Sequence, residues 1–116
     1  MAFADNLKQL PGVENIEKLD LIDASGDLVA TLENKPGKAG SLAVYNHLVL
    51  RYGRIDPASA TEGLTLFAEH TEDARKNPGK HPNIDRLLKV IEHKLSYSAK
   101  VANKQDGAAD RDTRSA

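Results

Sequence analysis

The segment NIEKLDLIDASGDLVATLEN, residues 15–34, decides the fold. Glu17, Leu19, Leu21 and Asp23 fall on one side of a two-residue period, and Leu28, Ala30 and Leu32 resume the alternation after a break at DASGD. Period two is the mark of a half-buried strand, because successive side chains leave a pleated backbone on opposite faces. DASGD supplies the left-handed glycine that a bulged hairpin turn needs, so residues 16–34 are predicted to be two antiparallel strands. Such a hairpin is marginal on its own in water. Its apolar face calls for helices, and its open backbone edges call for cover or for a second copy of the chain. A homodimer with a sheet continuous between subunits is therefore expected.

The flanking sequence provides the helices. Phe3, Ala4, Leu7 and Leu10 recur at helical spacing until Pro11-Gly12 stops them, which predicts a short N-terminal helix packed as a lid. Leu42, Tyr45, Leu48, Val49 and Tyr52 form one stripe over a helix at 42–52, with Ser41 at the N-cap and Gly53 just past the end. The next helix starts either at Asp56-Pro57 or at a Ser59-x-x-Glu62 capping box. It carries Ala60, Leu64, Phe67, His70 or Thr71, and Ala74 up to Asn77-Pro78-Gly79. A last helix opens near Pro82 or Asn83 with Ile84, Leu87, Leu88, Ile91 and Leu95 on one face. The expected fold is α+β, an antiparallel hairpin packed against three main helices plus the short N-terminal one. Residues 1–98 read as one compact domain, and 99–116, poor in large apolar residues, as a disordered tail.

Composition narrows the function classes. At 116 residues there is room for one core. The formal net charge of -1 is unlike the basic footprint of a dedicated nucleic-acid binder, and only Tyr 3 and Phe 2 are available for base stacking. Nucleic acid is not expected as a partner. Charge is uneven, acidic over residues 1–34 and basic over 70–100, which suits faces that complement each other within the fold or across a dimer. The absence of cysteine removes disulfides, thiol catalysis and thiolate metal sites. No apolar run nears the roughly 20 residues of a membrane span, so a cytoplasmic setting is expected.

One stretch invites a ligand. KPGKAGS, residues 35–41, is glycine-rich, leads into a helix and carries two lysines. The start of a helix exposes backbone N–H groups and the positive end of the dipole, and small residues let a phosphate approach them. The candidate anion-binding residues are Lys35, Gly37, Lys38, Gly40 and Ser41. The stretch is not a P-loop, since Lys38 precedes Gly40 where that motif puts lysine directly after the second glycine. A turn at Pro36-Gly37 followed by a capped helix explains the same residues without any ligand.

The histidines are His47, His70, His81 and His93, and neither the zinc-protease nor the diiron spacing occurs among them. No metal site and no cofactor are expected. His70 with Asp73, or Glu69 with Asp73, would share a helix face, which more simply is a solvated face. The leading function is a non-enzymatic binding or interaction module, its partner a phosphorylated small molecule or another protein. A second reading is a small hydrolase or nuclease, which requires at least two of His47, His70 and His81 to converge on one cleft with Asp73 or Glu69. A third is a purely structural or regulatory homodimer.

With the hairpin, ENKPGKAGSLAVYNHL and GKHPNID in view, the chain resembles a family of small uncharacterised bacterial proteins, a domain of unknown function, over about residues 1–98. The resemblance implies a bacterial, cytoplasmic, compact α+β domain and carries over no catalytic residue.

Overall fold

A computed structural model describes residues 2–104. In chain order the elements are α1 (Phe3–Leu7), β1 (Ile16–Ile22), β2 (Leu28–Glu33), α2 (Ala39–Tyr52), α3 (Pro57–Phe67), α4 (Glu69–Lys76), α5 (Pro82–His93) and β3 (Ser98–Asn103). The class is α+β, as the alternation and the stripes predict.

The hairpin forms as read. Gly26 takes φ +89° in the turn, and Asp23 Oδ1 accepts the N–H groups of Ser25 (2.9 Å) and Asp27 (3.0 Å), closing the loop with its own side chain. Leu19 pairs with Leu32 and Leu21 with Ala30, which sets these residues on the core face.

The sheet, however, has three strands rather than two, antiparallel in the order β2-β1-β3. The domain thus runs past the expected boundary at residue 98. Residues 99–103, read as the start of a disordered tail, belong to β3, where Val101 pairs with Leu19 and Ala99 with Leu21. The rest of that expectation, residues 105–116, lies outside the described residues. The physical reason for β3 is the free edge of β1, whose backbone groups need partners whatever the side chains of the partner strand. The chain is steered there by Lys94, left-handed at φ 54° after α5, and by a bridge in which Ile55 and Tyr97 exchange N–H···O bonds of 3.0 and 2.8 Å.

The helices also depart from expectation in detail. The run from residue 57 to 76 is broken at Ala68, which has φ 53°. The Thr71 hydroxyl donates to the Leu64 carbonyl (2.6 Å) there, in place of a helical N–H. Asp56 is the N-cap of α3: its side chain accepts from Ser59 N–H, and Asp56 N–H donates to Ser59 Oγ. Glu62 therefore caps nothing and is free for other partners. Ser41 is not a cap either. Helix α2 begins at Ala39, with Lys38 at the N-cap position and no side chain capping it. Gly53 ends α2 in the left-handed conformation with φ 80°, as its placement predicts.

Helix α2 packs on β1 and β2, α3 packs between α2 and α5, and α1 rests on α2 and α3. The core joins Leu19, Leu21 and Leu32 of the sheet to Leu42, Tyr45 and Leu48 of α2, Phe67 of α3, and Ile84 and Leu87 of α5. Among the described residues no helix is long and apolar enough to cross a membrane.

Candidate functional site

The turn before α2 leaves a set of donors free. Gly37, at φ +81°, occupies a conformation that glycine adopts without penalty, and Lys38 N–H bonds Lys35 C=O at 2.9 Å. The first bond closing into the helix runs from Leu42 N–H to Lys38 C=O (3.2 Å). The N–H groups of Ala39, Gly40 and Ser41 consequently have no intramolecular partner among the described residues. Unpaired N–H groups at the positive end of a 14-residue helix attract negative charge.

A cleft of about 680 Å³ is lined by this segment, Gly37 to Ser41. His70 of α4 contributes to the same lining, as do Lys80, His81 and the first turn of α5 at Pro82 to Ile84. Its apolar part comes from Phe3 and Leu7 of α1, Leu32 of β2 and Phe67 of α3. The sequence assigned Gly37, Lys38, Gly40 and Ser41 together, and they sit together. Lys35 does not line the cleft; its Nζ lies 3.3 Å from Glu33 Oε2 at the end of β2. Gly40 has a packing reason to be glycine, because a Cβ there would lie 3.0 Å from Phe3 Cζ. Phe3 in turn stacks on Phe67 with centroids 5.4 Å apart, and its N–H donates to Glu69 Oε1 (2.9 Å). Helix α1 is fastened over this end of the cleft by Asn6, whose amide donates to Leu66 C=O (2.9 Å).

The histidines divide. His70 and His81 meet, ring centroids 5.6 Å apart, in the cleft. His47 is elsewhere, on the α2–α3 face, with Nε2 2.6 Å from Glu62 Oε2. The Tyr52 hydroxyl donates to Glu62 Oε1 (2.8 Å) and Arg51 Nε lies 3.4 Å from the same oxygen. Burial pushes the Glu62 carboxyl up, but the hydrogen bonds from Tyr52 and His47 outweigh it and hold it below its ordinary value. That cluster ties two helices together and faces no cleft residue. His93 pairs with its neighbour Glu92, at 3.3 Å on the surface.

Asp73 organises the α4–α5 turn beside the cleft. Its Oδ2 lies 2.7 Å from His81 Nε2 and 3.0 Å from Lys80 Nζ, and its Oδ1 accepts from Asn77 Nδ2 at 2.9 Å. The hydrogen bond from His81 first, then that from Lys80, hold the carboxyl down at about 2 from an ordinary 3.8. A depressed carboxyl adds stability that is fully present above its unfolded value and is lost as the pH falls through its folded value. Stability from this source is therefore expected to hold above about pH 4 and to drain away toward pH 2. Asp73→Asn should flatten that part of a stability-against-pH curve measured by urea melts; an unchanged acid limb would refute the assignment. Asp73 with His70, offered by the sequence as a shared helix face, is instead the partner of His81 across the turn. Among the described residues no group of three or more His, Cys, Asp or Glu side chains is placed to hold a metal ion.

No local pattern indicates that α5 brings its first turn to the glycine segment. Tyr45 does this. It is fully buried in α2, donates its hydroxyl to the Asn83 carbonyl of α5, and accepts from Arg86 Nη1 (3.1 Å).

Fold and cleft together define a small α+β domain with a cleft between an uncapped helix start and a histidine-lysine turn, lined by Lys38, Lys80 and the Glu33 carboxylate. The chain belongs to DUF2322, described as an uncharacterized protein conserved in bacteria, whose family profile matches residues 3–101. No curated protein and no solved structure matches it.

Proposed function

We propose that the chain is a small binding protein for phosphate-type anions, with the phosphoryl group of a small molecule seated on the N–H groups of Ala39, Gly40 and Ser41. Lys38 and Lys80 supply the compensating positive charge, and His70 and His81 line the same cleft. One observation carries this reading. An uncapped 14-residue helix, two lysines and two histidines, drawn from three separate parts of the chain, line a single cleft. Lys80 has only one of its three ammonium donors committed, to Asp73, so it can serve a ligand as well. Lys35 stays with Glu33 and adds only to the general field.

The test is calorimetric titration with inorganic phosphate and pyrophosphate at low salt, where charge attraction is least screened. Losing one charge-assisted contact removes on the order of 1.5 kcal/mol, so Lys38→Ala is expected to weaken binding about tenfold. Equal affinity in the parent and in a Lys38→Ala variant whose circular dichroism is unchanged would sink the reading.

A further inference from the structure

The cleft is far larger than a phosphate ion requires, and it contains a histidine-carboxylate pair that anion binding alone does not use. His81 Nε2 meets Asp73 Oδ2 at 2.7 Å, and Asp73 is itself fixed by Asn77 and Lys80. A carboxylate only accepts, so His81 must donate through Nε2, and in the neutral ring Nδ1 is left as the proton acceptor. Among the described residues the His81 side chain makes no second hydrogen bond. His70 lies beside it and has neither a hydrogen bond nor an ion pair among the described residues; Phe3 meets it edge-on, with centroids 5.0 Å apart. A base with an orienting partner, a second imidazole and a set of free N–H donors in one cleft are the parts required for acid–base transfer at phosphorus.

We propose, resting on the anion reading above, that this cleft hydrolyses a phosphomonoester, with His81 as general base, His70 as general acid and Asp73 as the positioning residue for His81. The phosphoryl group sits at the start of α2, and the organic body of the ester takes the remaining volume along Leu7, Leu32 and Phe67. Water attacks phosphorus as its proton passes to Nδ1 of His81. The ester P–O bond breaks, and the leaving oxygen takes a proton from His70. The products are an alcohol and inorganic phosphate, and proton exchange with solvent restores both rings. Lys38, Lys80 and the α2 N–H groups stabilise charge on the non-bridging oxygens throughout. Asp73 and Lys80 pair beside His81, His70 lies against it, and Lys38 and Glu33 are the other charged groups lining the cleft.

The experiment follows phosphate release from p-nitrophenyl phosphate and β-glycerophosphate by ³¹P NMR with the full chain, beside titration with inorganic phosphate. Wild type is expected to turn over at least one ester with a bell-shaped pH profile. His81→Gln should lose on the order of 100-fold or more in kcat while still binding inorganic phosphate. Asp73→Asn should lower kcat with little change in KM and displace the low-pH limb of the profile, which the general base sets. His93→Gln, a surface control, should behave as wild type. Should His81→Gln fail to fold, His70→Gln carries the same test, since that side chain holds no hydrogen bond among the described residues. Phosphate binding without turnover of either ester overturns the hydrolase and leaves the binding reading intact. Turnover unchanged in His81→Gln or His70→Gln overturns the assignment of roles, and no phosphate binding by wild type overturns both readings.

Discussion

Tyr45→Ala is expected to cost about 4 kcal/mol of stability, the scale of deleting a whole buried aromatic side chain. Tyr45 is fully buried, and its ring lies between the sheet-facing side of α2 and the first turn of α5. The loss has two sources. One is the apolar contact of the ring with the core, together with the Arg86 guanidinium 5.7 Å from its centroid. The other is the hydroxyl, which bonds Asn83 C=O and accepts from Arg86; Tyr45→Phe isolates this part, at about 1–2 kcal/mol. With a urea m value of about 2 kcal/mol/M, the alanine variant should lower the midpoint by about 2 M and the phenylalanine variant by about 0.5–1 M. A loss below about 1.5 kcal/mol in Tyr45→Ala would mean that the side chain is not the pin between α2 and α5. An independent check uses the phenol itself. Burial, larger than the opposing effect of Arg86, pushes it up to about 12. A group raised in the folded state contributes fully below its unfolded value, here 10.0, so this contribution should fade as the pH rises from about 10 toward 12.

The same residue shows what was legible in the sequence. The stripe Leu42, Tyr45, Leu48 identifies Tyr45 as a helix-face residue, which it is. Its tie to Asn83 spans 38 positions, and no local pattern records a contact of that separation. The hairpin was readable because its signal is local: strict alternation on both sides of a turn whose Gly26 and Asp23 each have a conformational task. β3 was not, because Ser98-Ala99-Lys100-Val101-Ala102-Asn103 has a single β-branched residue and forms a strand through backbone pairing with β1. The cleft was legible in halves. Gly37, Lys38, Gly40 and Ser41 form a contiguous segment with a mechanism attached, and Lys80 and His81 are neighbours in GKHPNID. Nothing in the spacing brings the two halves together; the α2–α3–α5 packing does that.

That packing rests on a residue with no hydropathy signal at all. Gly63 lies in α3 between Ala60 and Phe67, buried where α2 and α5 both close on it. A Cβ at this position would stand 2.8 Å from Leu87 Cδ1 and 2.9 Å from Leu48 Cδ1, both on fully buried side chains. Gly63→Val is therefore expected to destabilise by about 3 kcal/mol, since added carbons in a filled core force neighbours off their rotamers. Opposing this is helix propensity, which favours valine over glycine by about 0.4 kcal/mol, too little to change the sign. Gly63→Ala brings a smaller clash against a helix gain of about 1 kcal/mol, so its net loss should be well under that of valine. Urea unfolding of the three proteins gives the series directly. If valine costs less than about 1 kcal/mol, α3 is not held at glycine distance from its neighbours. Because α3 carries Phe67 and α5 carries the first turn that lines the cleft, displacement of α5 by valine should also weaken phosphate binding, while alanine, whose one added carbon meets only the ends of the Leu87 and Leu48 side chains, should leave it nearer the parent value.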